Sequence, residues 1–457
     1  MTSEVAPTHR NMFQDAFDVI DADGIAYCLL GPPDERPRRQ GGDTDFVVDG
    51  KLPDRLARSL EAAAGRGGHR VVQLIDHDSA YAFVLAGRAA DGSIEVVRLD
   101  AWADPDVGEY RFYPGSELIK RRRSHHRYWI PAPSIQFGCG LTRRIAKGTL
   151  GVAEATVLSS LFAADPSGCE LEIARFWRPP SSTLLADAAR SADWTPVSAR
   201  LAALRRELLR DAMKRDAIGI ARRRMRRIYV RARHFLRPTA GLLVVLLGPD
   251  GSGKSTVIEA VRREMAGAFS AAELRLVAPS LSQLRDGSYR STDRKPLDGS
   301  PSRPHALDTH PLPLALIKVA YWFFYYAVWY HVSVRPALAR GRLVLYHRHL
   351  VDALVDPRRY RYGGPRWLIR LLWRLSPKPD VVVALDAPAE QIRARKPELE
   401  LAEIARQRHA YKELLDTIPN GHLVDASGTV ASTVATVTDI LLRHMAERVG
   451  RRLDGRA

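Results

Sequence analysis

Short apolar runs separated by Gly/Asp turns fill the first third of the chain: Ala26–Leu30, Phe46–Val48, Val71–Ile75, Ala80–Leu85 and Ile94–Leu99. Runs of this length bounded by turn residues predict the strands of a small α+β domain over residues 1–150, and residues 151–204 read as helices attached to it. After Pro238 the pattern changes to a buried strand, a glycine turn and a helix, followed by further strands and helices. That alternation predicts a parallel α/β sheet flanked by helices. The expected organisation is therefore an α+β domain over 1–204, a linker helix over 205–238 and an α/β domain over 239–447. No internal repeat is visible.

The linker stands out once charge is considered. Residues 205–237 hold thirteen Lys and Arg against Glu207, Asp211 and Asp216, a net +10 in a chain whose total is +17. Lys120, Arg121, Arg122, Arg123 and Arg127 supply another +5, leaving two near-neutral domains with two basic patches. Ile218, Ile220, Met225, Ile228 and Val230 give the linker a thin apolar side, and Pro238 would end it. It reads either as a solvated interdomain helix or as a surface for nucleic acid or anionic lipid. The basic and aromatic mixture around Arg121, Tyr128 and Trp129 reads as a solvated face with a packed Trp or as a nucleic-acid surface. His125 and His126, as sequence neighbours, are expected to point apart and not to form a metal pair.

Composition narrows the class further. With 46% hydrophobic and 26% charged residues, the chain is neither disordered, collagenous nor a coiled coil. Cys28, Cys139 and Cys169 are too few and scattered for a disulfide framework or a zinc cluster. The polar opening MTSEVAPTHRNMFQD lacks an apolar signal core, which predicts a cytoplasmic protein. Leu312–Val334 is long enough to span a bilayer, but Lys318 and His331 interrupt it and its centre is rich in Tyr. It is expected to be a buried helix in a soluble domain, not a transmembrane segment, with membrane contact as the alternative.

One motif carries definite chemistry. The apolar run Leu242–Leu247 leads straight into Gly248-Pro249-Asp250-Gly251-Ser252-Gly253-Lys254-Ser255, then Thr256 and a helical stretch. This is G-x-x-x-x-G-K-[ST] in its strand–loop–helix setting. The glycines let backbone N–H groups turn inward around a phosphate, and the helix N-terminus adds favourable partial charge. Lys254 can reach the β- and γ-phosphates of ATP, and the Ser255 hydroxyl can ligate Mg²⁺.

The domain around this loop resembles the thymidylate kinase family of P-loop nucleoside-monophosphate kinases. The resemblance rests on GPDGSGKST, Arg348 at an apolar strand end, PDVVVALDAPAEQIRAR and RQRHAYKELL, over about residues 240–445. VDPRRYRYGGP and ARKPEL resemble thymidylate-kinase-like proteins associated with bacterial surface-polysaccharide loci. By that resemblance Asp250 faces the acceptor and Arg348 holds the acceptor phosphate. Asp386 assists Mg²⁺ through water, and Arg393, Arg395 and Lys396 supply lid cations to the transferring phosphoryl group. Arg406 and Arg408 are further cation candidates, and Tyr411 matches an aromatic following the lid. The chain departs from the family where an Asp-Arg pair reads His347-Arg348, because a neutral imidazole cannot replace a carboxylate near Mg²⁺. The lid is also short, and Arg358–Gly364 replaces the usual acceptor-pocket sequence with alternating Arg and Tyr before two glycines.

In the first domain, Gly41-Gly42-Asp43-Thr44-Asp45-Phe46-Val47-Val48 sets two carboxylates two residues apart on one side of a strand, and Asp100 ends another. This resembles the nucleotidyltransferase fold over about residues 15–105, which would make Asp43 and Asp45 metal ligands and Asp100 the third. The expected Gly-Ser phosphate-gripping turn is replaced by GPPDERP, so a degenerate binding domain stands beside an active one. Three functions are thus open: a P-loop kinase using ATP and Mg²⁺, a regulatory nucleotide-binding protein, and a nucleotidyltransferase acting through the first domain. The expected partners are a small phosphate acceptor, nucleotide or sugar-like, an anionic surface at the linker, and a second copy in a homodimer.

Overall fold

The structure, a computed structural model, describes residues 12–31, 43–49, 53–66, 68–76, 80–89, 91–236, 240–276 and 308–455. The chain divides into two compact units, residues 1–232 with 449–457 and residues 233–448. Both boundaries fall inside helices, Thr195–Leu236 and Val430–Leu453. Most of the basic stretch thus belongs to the first unit as part of a long helix with a non-helical residue at Asp216, where the sequence pattern predicted a separate linker. Pro238 lies outside the described residues, as do Gly41 and Gly42.

The first unit is built on strands β1 (Tyr27–Leu29), β2 (Asp43–Val48), β3 (Arg70–Asp76), β4 (Ala80–Arg88) and β5 (Ile94–Trp102), in sheet order β1-β2-β5-β4-β3. Only β2 and β5 run parallel. Alternation along β2 sends Phe46 and Val48 into a core with Phe17, Leu56 and Leu60 of helices Met12–Ala22 and Pro53–Arg66. Val47 faces the opposite way, into a second core made by helices Pro133–Lys147, Val152–Ala164, Pro166–Phe176 and Ser181–Ser191. A hairpin, β6 (Arg122–His125) and β7 (Tyr128–Pro131), carries the smaller basic patch. His126 takes φ 52° in its turn, which brings the His125 and His126 rings to 4.5 Å, closer than their adjacency in sequence implied.

The second unit holds a five-stranded, wholly parallel sheet: β8 (Leu242–Leu247), β9 (Ala271–Leu276), β10 (Arg342–His347), β11 (Val381–Asp386) and β12 (Gly421–Asp425). Its order is β12-β11-β8-β10-β9, so β8 is central and the chain crosses from one side of it to the other. All six residues of β8 are buried, as expected for a strand covered on both faces. In such sheets the crevice at the carboxyl ends of the strands, where the order reverses, is where ligands bind. The loops after β8, β10 and β11 all open there.

Helix Leu312–Phe323 continues through a π-type stretch, Phe324–Val334, into Arg335–Ala339. Ala315, Val319, Trp322, Tyr325 and Tyr326 are buried in the core of this unit. The expectation of a buried helix holds for this side alone. Leu316, Ile317, Phe324, Val328 and Val332 are exposed, because the packing that buries one side of the helix leaves the other uncovered. By length and composition this helix could cross a membrane.

Candidate phosphate-binding site

The loop after β8 has the geometry that its glycines predict. Gly248, Gly251 and Gly253 have φ of 133°, 90° and 89°, values that a side chain strains. A Cβ on Gly251 would lie 2.7 Å from the Ile392 carbonyl oxygen, and one on Gly248 2.6 Å from that of Leu385. Backbone thus passes too close on both sides for any other residue. Ser252 Oγ is buried and has no hydrogen-bond partner among the described residues. Ser255 and Thr256 open the following helix, Lys254–Glu264, with exposed side chains.

Lys254 is 4% exposed. Its Nζ donates to the carbonyl oxygens of Gly248 (2.8 Å) and Pro249 (2.7 Å), folded back over the loop it belongs to. Burial, reinforced by the Arg348 charge, pushes its pKa down to about 7. A lysine at that value is poised to take up charge when an anion arrives.

Asp250 is the hub of the site. It is ion-paired to Arg348 and Arg359, and the ammonium groups of Lys254 and Lys396 each lie 3.8 Å from it. Burial opposes its ionisation, but the Arg348 charge, with Lys254, Arg359 and Lys396, holds it below the usual carboxylate range. Arg348 follows β10 with φ 76° and is 3% exposed. Its Nη1 donates to Asp352 Oδ2 at 2.6 Å, while its Nε has no partner among the described residues.

Asp352, which the sequence did not single out, is fully buried. It also accepts hydrogen bonds from the Tyr360 (3.0 Å) and Tyr411 (2.5 Å) hydroxyls. Both phenols are held well above their ordinary pKa by burial and by this carboxylate. Tyr411 is therefore a core residue that also fixes the site. Arg359 comes from the Arg/Tyr loop, so that loop does reach the glycine-rich loop after β8. The only signal in the sequence for Asp352 was its spacing of four from Arg348, which is too common to mark a site.

The other predicted residues are placed differently. His347 Nε2 lies 3.3 Å from Ser255 Oγ, and burial together with the charges of Lys254 and Arg348 pushes its pKa down to about 3. A neutral imidazole thus stands beside the expected Mg²⁺ ligand. Asp386, at the end of β11, is held in a bidentate pair by Arg408 at 2.5 and 2.9 Å. Arg395 donates to the Ala426 carbonyl oxygen at 3.2 and 3.3 Å, and Arg393 is exposed without a hydrogen bond or ion pair among the described residues.

In the first unit the parallel pairing of β2 and β5 sets Asp45 opposite Asp100. Arg98 Nε lies 3.3 Å from both Asp43 and Asp100, while Asp45 accepts from Trp102 Nε1 at 3.0 Å and pairs with Arg143 at 3.4 Å. Burial raises the Asp100 pKa to about 6; Arg98 lowers it and the neighbouring carboxylates raise it. The three carboxylates are close enough to feel one another, with arginines supplying the countercharge. Among the described residues no group of three or more His, Cys, Asp or Glu is arranged to hold a metal ion.

No protein-family model matches this chain, and no curated protein does. Among solved structures it is similar to a thymidylate kinase from Ehrlichia chaffeensis, with 15% identity and a TM-score of 0.31 over 44% of this chain and 99% of that one.

Proposed function

We propose that residues 233–448 form an ATP-dependent phosphotransferase whose acceptor is a small molecule already carrying a phosphate. One observation supports this above all: Lys254, Arg348, Arg359 and Lys396 gather about Asp250 beside the glycine-rich loop, four basic residues against the three carboxylates Asp250, Asp352 and Glu398, the last 3.2 Å from Lys396. The surplus suits phosphate, and phosphoryl transfer needs positive charge around the transferring group more than covalent help. In this reading Lys254 leaves its loop carbonyls for the ATP phosphates. Arg348 and Arg359 offer planar forks to the acceptor phosphate while Asp250 keeps them aligned. Arg393 and Arg395 are the lid cations. Magnesium would be held by Ser255 Oγ and the nucleotide's own oxygens, since Mg²⁺ in such sites keeps few protein ligands.

A second reading has its own support. His347 is neutral beside Ser255, and Asp386 is occupied by Arg408, so among the described residues neither of these two positions offers a free carboxylate to the expected metal. A site of that kind binds nucleotide and signals its presence without turnover. One experiment separates the two. Purified protein is given ATP, Mg²⁺ and a panel of nucleoside monophosphates and sugar phosphates, with ADP release and phosphorylated products followed by mass spectrometry. The kinase reading expects one acceptor class to accelerate ADP release, with Arg359→Ala raising its KM. Tight ATP binding with no phosphorylated product from any acceptor would leave the regulatory reading in its place.

A further inference from the structure

The second unit carries an apolar surface that its core does not use. Along Leu312–Val334, Ile317 is 66% exposed, Phe324 58% and Val332 64%, alongside Leu312, Leu314, Leu316, Phe323 and Val328. Isolated exposed apolar residues are ordinary, but a file of large ones along a single helix is not. The helix Arg366–Leu375 packs against Leu312–Phe323 and repeats the pattern. Ile369 and Leu372 are buried, while Trp367 (61%), Leu371 and Leu375 (60%) form an outward stripe at a spacing of four residues.

Charge distinguishes this surface from an ordinary protein interface. Arg366, Arg370 and Arg374 form a second exposed stripe on the same helix, followed by Lys378. Arg370 and Arg374 make no hydrogen bond or ion pair among the described residues. Neither Leu312–Arg340 nor Pro357–Pro379 contains an Asp or Glu. A helix with Trp and Leu along one stripe and Arg beside it is suited to lie in the headgroup region of an anionic bilayer, apolar side chains inward and guanidinium groups on the phosphates. A two-fold interface between copies of this chain would instead bring the same arginines together without countercharge.

We propose that helices Leu312–Val334 and Arg366–Leu375 form a docking surface for an anionic lipid membrane. The protein lies on the bilayer through Trp367, Leu371, Leu375 and the exposed side of the longer helix, and Arg370 and Arg374 supply the preference for negative headgroups. This surface is distinct from the phosphate site, so docking and phosphotransfer stand or fall separately.

The test uses the full chain and unilamellar vesicles, either phosphatidylcholine alone or phosphatidylcholine with one quarter phosphatidylglycerol, with partitioning followed by flotation. Binding is expected to the anionic vesicles only and to weaken in 0.5 M salt. Each basic residue at such a surface contributes about a fivefold factor, so Arg370→Gln with Arg374→Gln should lower partitioning about 25-fold. Trp367→Ser with Leu371→Ser should lower it at least about tenfold. All four positions are exposed, and circular dichroism and melting temperature check that each variant remains folded. The proposal is overturned if the wild type does not bind anionic vesicles, or if both variants bind as the wild type does. It is equally overturned if only Arg222→Gln with Arg226→Gln, on the long basic helix, removes binding. Sedimentation velocity supplies the last arm: a wild-type dimer in the absence of vesicles that Trp367→Ser with Leu371→Ser makes monomeric would assign the surface to a second copy.

Discussion

If residues 233–448 bind a nucleotide as proposed, the depressed pKa of Lys254 would make that binding a proton-linked event at mildly alkaline pH. In the free loop Lys254 is buried and titrates near 7. A bound polyphosphate would hold it charged, since a neighbouring anion favours the ammonium form. Binding above pH 7 therefore requires a proton to be taken up. With a free-state pKa of 7, the charged fraction falls from about 0.24 at pH 7.5 to about 0.01 at pH 9.0, so ATP affinity should drop about 25-fold, roughly 2 kcal/mol. The window lies above the last phosphate pKa of about 6, so the ligand's own charge is constant. Isothermal titration at pH 7.5, 8.25 and 9.0, in buffers of different ionisation enthalpy, reads both the affinity and the protons taken up. Uptake should approach one per nucleotide at pH 9.0. Asp250 raises the Lys254 pKa, so Asp250→Asn should move the fall to lower pH. An affinity that changes less than threefold across the window, with no proton uptake, would refute the reasoning.

Other perturbations test the surroundings. Asp352→Asn removes the charge from a fully buried carboxylate that three donors face, Arg348, Tyr360 and Tyr411. It should destabilise the protein by about 3–5 kcal/mol in urea unfolding, and a loss below about 1 kcal/mol would contradict the network. Gly251→Ala places a Cβ 2.7 Å from the Ile392 carbonyl oxygen at φ 90°, which should weaken ATP binding at least about tenfold and lower the melting temperature. His347→Asp supplies the missing carboxylate beside Ser255; if metal placement limits the site, Mg²⁺-dependent turnover should rise, whereas unchanged turnover would point elsewhere. Asp100 has a folded-state pKa raised from 3.8 to about 6, so its ionisation opposes folding fully above pH 6 and not at all below about 4. Asp100→Asn should therefore stabilise the protein by about 2–3 kcal/mol at pH 7.5, a gain that disappears by pH 4 in pH-dependent unfolding.

Much of this protein is determined by local pattern. A fully apolar hexapeptide and three glycines specify a buried strand and the tight turn after it, because only glycine tolerates the positive φ and the close backbone contacts found there. The strands of the first unit follow from short apolar runs in the same way, and Asp43, Asp45 and Asp100 do come together through parallel pairing. What local pattern could not determine was partnership. Asp250 reads as a loop residue, yet folding brings it cations from the turn after β10, from the Arg/Tyr loop and from the segment before Pro397, up to 146 residues away. Asp352 became central only when Arg348, Tyr360 and Tyr411 converged on it. Asp386 and Arg408, each a candidate by itself, neutralise one another in the fold. The helix Leu312–Val334 illustrates the same limit, because large apolar and aromatic residues occur around most of it and only its packing shows which side the core leaves exposed. Covalent neighbours set backbone conformation and periodicity, but charge pairing and burial act through space between segments far apart in the chain.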